Sequence, residues 1–253
     1  IGLLAMSLSF AALATDATGP NKVYIEQVGN SNLITIEQVG GTNNVGGIAG
    51  SVAVDATGVS TLTVTAPSSS NYGTITGSSN QVAITQHGDA NSAQYNIKGN
   101  QNVYTSTVTG NGNQTKLSIG DTNTNGLRNT VTETITGNTN MTITNIVGSD
   151  NALSTTITGN SNQLTTEVTT SNADITNTIS GNSNIFNIQQ VDAAGSAGHS
   201  LTTATTGSYN SITTQQQGTN DTTIDIKTTG DHNTITVRSS SATIATPVSA
   251  IAR

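Results

Sequence analysis

Composition and charge already exclude several classes of protein. The chain has 253 residues, of which 32% are hydrophobic, 3% aromatic and 8% charged, and its formal net charge at pH 7 is −7. Few large apolar side chains are available for a core, so an ordered state has to depend on backbone hydrogen bonds and on ladders of polar side chains. The sequence has no cysteine, which excludes disulfides and thiolate chemistry, and its seven Lys and Arg residues form no basic stripe for nucleic acid.

The N-terminal stretch IGLLAMSLSFAALATDATG contains an apolar run that ends in Ala12-Leu13-Ala14. A small residue on either side of a variable one is typical of a signal-peptidase site, so we interpret residues 1–14 as a truncated secretory signal peptide. The alternative is a short buried helix or strand, because the run is too short to span a bilayer. The interpretation predicts export to the cell surface or the extracellular space.

A phrase of eleven residues repeats along residues 24–238, and in it a glycine is followed three positions later by an asparagine. The stretch QVGNSNLITIEQVGGTN, residues 27–43, holds two copies, and Thr170 takes one glycine position. The glycines are Gly29, Gly40, Gly77, Gly88, Gly99, Gly110, Gly126, Gly137, Gly148, Gly159, Gly181, Gly207, Gly218 and Gly230. The asparagines are Asn32, Asn43, Asn80, Asn91, Asn102, Asn113, Asn129, Asn140, Asn151, Asn162, Asn184, Asn210 and Asn233. Such a fixed period indicates a repeat architecture.

Each unit predicts one short strand and one turn. The residue two positions after the asparagine is usually apolar, as at Ile34, and the residue two positions before the next glycine is Gln or β-branched, as at Gln38. These positions share one face of an extended strand, and the Thr-rich composition between them favours a strand. Glycine followed by Asn or Asp and then by Ser, Asn or Thr favours a turn.

Two units that face each other form a flattened coil of about 22 residues, and stacked coils predict an all-β fold, a β-solenoid of the cross-β kind. The units suffice for roughly seven coils, or about 30 Å of axis at the strand spacing. Stacking places Asn over Asn and Gln over Gln, so we predict that the asparagines form ladders together with Gln27, Gln38, Gln86, Gln190 and Gln216. The repeat domain is assigned to residues 15–238, with irregular insertions near 41–76, 120–125 and 192–206, and residues 239–253 form a tail or cap.

The pattern Gln-x-Gly-x-x-Asn-x-(Ala or apolar)-x-x-x-Gln resembles the curlin repeat of curli amyloid fibres. The stretch QVGNSNLITIEQVG fits it at every marked position, QHGDANSAQYNI fits it as well, and QQGTN fits it around Gln216 and Gly218 with Asn220 one place early. Many other units depart from the family pattern because Ile or Val replaces the inner Gln. The resemblance implies secretion as an unfolded chain, a nucleator subunit or an outer-membrane export pore as partners, and self-assembly outside the cell.

The resulting hypothesis is a secreted structural protein, a homopolymeric fibre subunit of the biofilm matrix or cell surface. Uncapped end coils would present unpaired backbone groups that template the next molecule. A main subunit, a nucleator and a minor subunit would share these ladders, and matrix or host-surface components are further candidate partners.

Catalysis, cofactors and metal sites find no support in the sequence. The fourteen acidic residues are dispersed, and Glu133 and Glu167 have no predicted partner. Asp residues in GDTN, GSDN, GTND and GDHN match neither calcium-binding repeats nor EF-hands, so we interpret them as turn formers that also discourage aggregation. The three histidines, His87, His199 and His232, lack the spacing of zinc ligands.

Two alternatives stay open beside the fibre: a surface adhesin, and a monomeric solenoid with an ice-binding face. Outward pairs recur at the spacing of one coil, Thr134/Thr136, Thr156/Thr158 and Thr178/Ser180. Flat threonine arrays on β-solenoids resemble the ice-binding faces of antifreeze proteins. Against this alternative, the neighbouring coils are expected to depart from the array at Thr85/His87 and Asn96/Lys98.

Overall fold

The computed structural model describes residues 7–13, 19–46, 50–54, 60–64, 73–121, 123–191, 199–217, 223–239 and 248–252. These residues form twenty-four strands, numbered here in chain order, and contain no helix. Two long parallel sheets, A and B, stack as a β-solenoid of about 8 coils, which confirms the predicted fold class. Gly218 and Asn220 lie outside the described residues.

Sheet A and sheet B alternate along the chain, so each coil contributes one strand to either sheet. Sheet A contains β1 (Ser7–Leu13), β4 (Leu33–Val39), β9 (Gln81–His87), β11 (Val103–Thr109), β14 (Thr130–Thr136), β16 (Ala152–Thr158), β18 (Ala173–Ser180), β20 (His199–Thr206), β22 (Thr223–Thr229) and β24 (Val248–Ala252). Sheet B contains β2 (Lys22–Val23), β3 (Ile25–Val28), β5 (Asn44–Val45), β8 (Gly73–Thr76), β10 (Ser92–Asn100), β12 (Gln114–Ile119), β13 (Gly126–Leu127), β15 (Met141–Ile146), β17 (Gln163–Thr169), β19 (Ile185–Val191), β21 (Ser211–Gln217) and β23 (Thr234–Ser239).

The strands pair in parallel with a regular register. Ala152 of β16 pairs with Asp174 of β18, and Gln163 of β17 pairs with Ile185 of β19, so one coil takes 22 residues in both sheets. Parallel pairing follows from the winding, because the chain returns to the same sheet only after it has crossed the other one.

The first predicted irregularity is an insertion within a sheet B strand. The chain leaves the coil after Gly46 and returns at Gly73, so Asn80 bonds to Asn32 with a separation of 48 residues. Between these points β6 (Gly50–Val54) and β7 (Ser60–Val64) form an antiparallel hairpin. Residues 41–46 and 73–76 of the stretch 41–76 therefore belong to the regular coil.

This hairpin lies against the outer face of sheet B, where β7 contacts β17. On the neighbouring strand β15, Met141 and Ile143 alternate with inward residues, yet they are only 9% and 7% exposed. We infer that the hairpin covers this apolar part of the outer face.

The other irregular stretches are shorter than predicted or contain regular strands. In the segment 120–125 the register step grows to 27 residues, from Asn102 to Asn129. The segment 192–206 ends in a regular strand, β20, which pairs with β18 in full register. In the tail, residues 248–252 form β24 on β22, and at the other end residues 7–13 form β1 on β4. Cleavage of the N-terminal segment and its role in export stay predictions.

The core lies between the two sheets and consists of the inward columns that the repeat predicts. Ile, Val and Leu fill most positions, with Tyr95, Tyr104 and Phe186 among the largest fully buried side chains. Asparagines close both edges of this core, and many of them are 0% exposed. The central positions of several coils are polar instead, including Glu133 at 1% exposure.

Candidate functional site: the stacked turns and the sheet faces

Most regular turns share one backbone conformation over the sequence Gly-x-x-Asn. Gly159 has φ +130° and Ser161, two residues later, has φ +57° in the left-handed region. A Cβ at Gly159 would overlap the carbonyl oxygen of Gly181 in the next coil, and the same holds for most turn glycines and their successors. Glycine is therefore required both by its φ and by the close approach of the stacked backbones.

The turns form two columns, one at each edge of the solenoid. The turns from sheet A to sheet B form the long column, which contains Asn43, Asn91, Asn113, Asn140, Asn162, Asn184, Asn210 and Asn233. The turns from sheet B to sheet A form the short column, which contains Asn32, Asn80, Asn102, Asn129 and Asn151. The structure therefore brings the predicted asparagines together in two ladders.

Every side-chain amide inside a ladder is satisfied by the adjacent coils. Nδ2 of Asn162 donates to Oδ1 of Asn140 at 3.0 Å and to the carbonyl oxygen of Gly181 at 2.8 Å. Its Oδ1 accepts from both N and Nδ2 of Asn184 at 3.0 Å. Buried polar groups that make all their bonds in this way fix the spacing and register of the coils.

The two columns end differently. The long column begins one coil before the predicted repeat, because Oδ1 of Asn21 accepts the backbone N–H of Asn43 at 3.0 Å. This member was missed because its turn, Gly19-Pro20-Asn21, is one residue shorter. The short column stops at Asn151, whose Oδ1 accepts the backbone N–H of Ala173 at 2.8 Å, since no amide side chain is present there.

A second ladder lies outside the first one in the long column and runs in the opposite direction. The backbone N–H of Asn138 donates to Oδ1 of Asn160 in the following coil at 2.8 Å, whereas in the inner ladder the later coil donates to the earlier side chain. Its acceptors are the residues directly after each glycine, Asp89, Asn111, Asn138, Asn160, Asn182, Ser208 and Asp231. The repeated Asn or Asp after glycine carried this signal, which sequence analysis assigned only to turn formation.

The acidic turn residues have specific partners. Oδ1 of Asp121 accepts the backbone N–H of Asn123 at 2.7 Å, and such bonds lower the pKa of this carboxyl. Arg128 binds Asp150 in the next coil through two bonds of 2.7 Å, which lower the pKa of Asp150. Asp231 accepts the backbone N–H of Ser208. These residues support turns, as interpreted, while Asp221 of GTND lies outside the described residues.

The predicted glutamines do not form a continuous ladder. Nε2 of Gln38 donates to Oε1 of Gln86 at 2.9 Å inside the core. Gln27 pairs in register with Ile75, and no partner for its amide lies in the described residues. Gln190 and Gln216 pair in register and are buried, but within the described chain the amide of Gln190 makes no hydrogen bond. Register alone therefore does not bond two glutamines, because the amide of Gln190 makes no hydrogen bond in the described chain although Gln216 lies in register with it.

The outer face of sheet A carries an uncharged hydroxyl array that is larger than predicted. Five adjacent strands, β11, β14, β16, β18 and β20, align three outward positions each. The three columns are Thr105-Thr132-Ser154-Thr176-Thr202, Thr107-Thr134-Thr156-Thr178-Ala204 and Thr109-Thr136-Thr158-Ser180-Thr206. Asn96 and Lys98 lie on β10 of sheet B, so the expectation that they interrupt the array was wrong.

Glu133 has partners that sequence analysis did not foresee. It lies on the inner face of β14, where Oε2 accepts from the Tyr104 hydroxyl at 2.8 Å and Oε1 accepts from the Thr144 hydroxyl at 3.3 Å. Burial raises the pKa of Glu133, and the nearby hydroxyls offset this only in part. Glu167, in contrast, is exposed on the outer face of β17.

The last described long-column turn and the last sheet B strand lie at the C-terminal end of the coil stack, where β24 extends sheet A by one further strand. We call this region the terminal coil surface and define it by Gly230, Asn233 and strand β23. Among the described atoms, a Cβ at Gly230 would meet Nδ2 of Asn233 alone, at 3.6 Å, whereas earlier glycines in the long column face the backbone of a following coil. Strand β23 pairs with β21 on one side and has no second neighbour in the described chain.

No protein-family model, curated protein or solved structure matches the chain. In the described residues, no three His, Cys, Asp or Glu side chains converge in a way that could hold a metal ion. The same residues include no helix with the length and apolar character needed to cross a membrane.

Proposed function

We propose that the protein is a secreted structural subunit that self-assembles into a curli-like amyloid fibre of the biofilm matrix or cell surface. A nucleator subunit, an outer-membrane export pore and further copies of this chain are the partners that this function requires. The observation that carries the proposal is the terminal coil surface, because the last described turn of the long column keeps the geometry of the turns before it.

The chemistry of this surface fits another copy of the same repeat. From Asn43 to Asn184, Oδ1 of each asparagine in the long column accepts two bonds from the next coil. Oδ1 of Asn210 accepts the backbone N–H of Asn233, which is the last member of this column in the described residues. An edge strand with free backbone groups favours pairing with another strand. The hydrophobic and polar columns behind it repeat at about 4.8 Å, so an added coil would find matching neighbours.

A substitution at Gly230 tests the proposal directly. Among the described residues, a methyl group there meets no backbone in the single molecule, although the φ of +104° strains an alanine at this position. In a fibre the same methyl group would collide with the backbone of the next coil. We expect Gly230→Ala to keep the strand signal in circular dichroism and to lose most thioflavin-positive fibre growth. Sedimentation and electron microscopy of the wild type should show fibres with a cross-β diffraction spacing near 4.8 Å.

Two controls separate assembly from folding. His232→Ala lies in the same turn without touching the glycine column, and it should form fibres at the wild-type rate. Gly207→Ala lies one coil inside and should strongly destabilise the folded monomer, because its Cβ would overlap the Gly230 carbonyl oxygen. Wild-type growth rates in folded Gly230→Ala, or a wild-type protein that stays monomeric at high concentration, would reject the fibre.

A second candidate function, ice binding by the monomer, is supported by the sheet A array. Its fifteen outward positions hold twelve Thr, two Ser and one Ala, and none of them is charged. Repeats of about 4.8 Å across strands and about 6.8 Å along them hold hydroxyl and methyl groups on a flat grid. Water bound on such a grid takes regular positions, which favours contact with an ordered water lattice.

Thermal hysteresis of the monomer tests this second function independently of fibre growth. Thr156→Lys places a charge in the middle of the array and should remove the hysteresis. Thr213→Lys, on the outer face of sheet B, should leave it unchanged. Absence of hysteresis in the wild-type monomer would exclude ice binding and leave the fibre proposal untouched.

A further inference from the structure

The centre of the core contains a column of polar residues on the inner face of sheet A. Ser106, Glu133, Thr155, Asn177 and Thr203 occupy the middle inward position of five successive strands, and each is at most 5% exposed. Apolar residues occupy the same position in the coils before and after them. This column is therefore enclosed along the axis as well as at both sides.

Polar residues of sheet B face this column across the core. The hydroxyl of Thr144 bonds to Glu133 of the same coil, eleven residues earlier, which shows that middle positions of one coil oppose each other. By the same spacing Thr166 faces Thr155 and Thr214 faces Thr203. We call these eight side chains the polar lane.

Most groups in the polar lane lack a protein partner. Oγ of Ser106, Oδ1 of Asn177 and the hydroxyls of Thr166, Thr203 and Thr214 are buried and make no hydrogen bond within the described protein. An unsatisfied polar group of this kind costs about 1–3 kcal/mol, so several in one core are not expected without a binding partner.

The polar lane also holds less side-chain volume than the coil before it. That coil fills its centre with Ile84 and Tyr95, which are both buried. Where Thr203 and Thr214 oppose each other, two much smaller side chains occupy the same space. Protein interiors are close-packed, so the difference in volume has to be filled.

We propose that the polar lane is a buried binding site for a file of ordered water molecules that runs along the solenoid axis. Each water accepts and donates hydrogen bonds between hydroxyls of the two sheets and of successive coils. A site with several polar partners and limited room suits water, which makes about three hydrogen bonds when buried. The bound water completes a core that the composition leaves short of apolar side chains.

Thr214→Val tests the site in the full-length monomer, because it removes one hydroxyl without changing the side-chain shape. If water is bound, the substitution removes one of its hydrogen-bond partners and should raise the unfolding equilibrium constant about tenfold in urea titrations. Without water, it removes an unsatisfied hydroxyl and should raise the urea midpoint. The matched control is Thr213→Val, one residue earlier on the outer face, which should change neither.

Water itself can be counted by oxygen-17 magnetic relaxation dispersion, which detects long-lived buried molecules. We expect such waters in the wild type and fewer of them in the Thr203→Val/Thr214→Val double variant. A stabilised Thr214→Val, or a wild type without long-lived water, would overturn the proposal. The relaxation measurement on the wild type tests the proposal even if the double variant fails to fold.

Discussion

The two turn columns follow different rules, although one repeat encodes both. From Asn43 onward, every turn of the long column has four residues from glycine to asparagine, and its asparagine ladder is continuous to Asn233. The segments 121–125, 192–198 and 218–222 fall instead where the chain returns from sheet B to sheet A, at the short column. The short column also loses its glycine at Thr170 and its asparagine at Ala173. One edge sets the register, and the other accommodates the variation.

Hydrogen bonding explains this division. The long column carries both an inner ladder and an outer ladder of side-chain bonds, which run in opposite directions. The outer ladder is present only in part along the short column, for example from Ser78 to Asn100 and from Ser149 to Ser171. A doubly bonded edge can hold the coils in register even where the opposite edge is interrupted.

The largest effect should come from a methyl group in the middle of the long column. Gly159→Ala combines an unfavourable φ with overlap of the Gly181 carbonyl oxygen, and we expect it to cost about 4 kcal/mol or more. Urea denaturation followed by circular dichroism measures the loss. Gly112→Ala is the matched control, because its Cβ would lie 3.4 Å from a Thr139 methyl group. The equivalent position in the neighbouring turns is occupied by Ala90 and Thr139, which adopt the same left-handed φ.

A difference of less than about 1 kcal/mol between these two variants would contradict the close backbone stacking. Comparing Gly159→Ala with a matching substitution in the short column shows which column contributes more to stability. Gly148→Ala places its methyl group against the Thr170 carbonyl oxygen at the short column. If the long column sets the register, Gly148→Ala should lower the free energy of unfolding less than Gly159→Ala does.

The next effect compares one asparagine from each column. Asn162→Ala removes four ladder bonds and leaves buried partners in both adjacent coils, so we expect a loss of about 3 kcal/mol. Asn151→Ala removes three bonds at the end of the short column and should cost about 2 kcal/mol. Equal losses in denaturant titrations, or a larger loss for Asn151→Ala, would show that the short column contributes as much as the long one.

The sequence alone predicts the repeat, the strand-turn unit, the inward apolar columns and the alignment of asparagines, because glycine and asparagine at this fixed spacing suit a stacked strand-turn unit and few alternative folds. It does not reveal the sheet to which each unit belongs, since one insertion of unknown length shifts all later units. This is why Asn96 and Lys98 were expected beside the threonine pairs. Nor does alternation alone show that Glu133 and Tyr104 meet, because they belong to different coils and their contact depends on the register between them.

Changing pH should weaken the two edges in a fixed order. Burial raises the pKa of Glu133, so its contribution to stability is complete below the ordinary value near 4.5 and is lost as pH rises through the folded-state pKa. We expect the free energy of unfolding to fall above pH 4.5, by at most about 1.4 kcal/mol per pH unit, and Glu133→Gln to remove this dependence.

Hydrogen exchange then distinguishes the columns. Glu133 lies in the middle of β14, between the short-column turn at Asn129 and the long-column turn at Asn140. Because only the long column carries both ladders without interruption, amides of Asn129 and Asn151 should lose protection before those of Asn140 and Asn162 as pH rises. Simultaneous loss at both edges, with the same pH dependence in Glu133→Gln, would contradict both the buried charge and the ranking of the edges.

The smallest effect should come from lengthening a turn where the chain already varies. Two glycines inserted after Asn123 extend an exposed loop in which Oδ1 of Asp121 accepts the backbone N–H groups of Asn123 and Thr124. Loop closure predicts a cost below about 1 kcal/mol for this insertion. The same insertion between Asn160 and Ser161 breaks the outer ladder and separates Gly159 from Asn162, so that chain should fail to fold cooperatively. Thermal unfolding of both variants measures the contrast. If the long column tolerates the insertion as well as the loop does, register must be set by the core columns rather than by the turns.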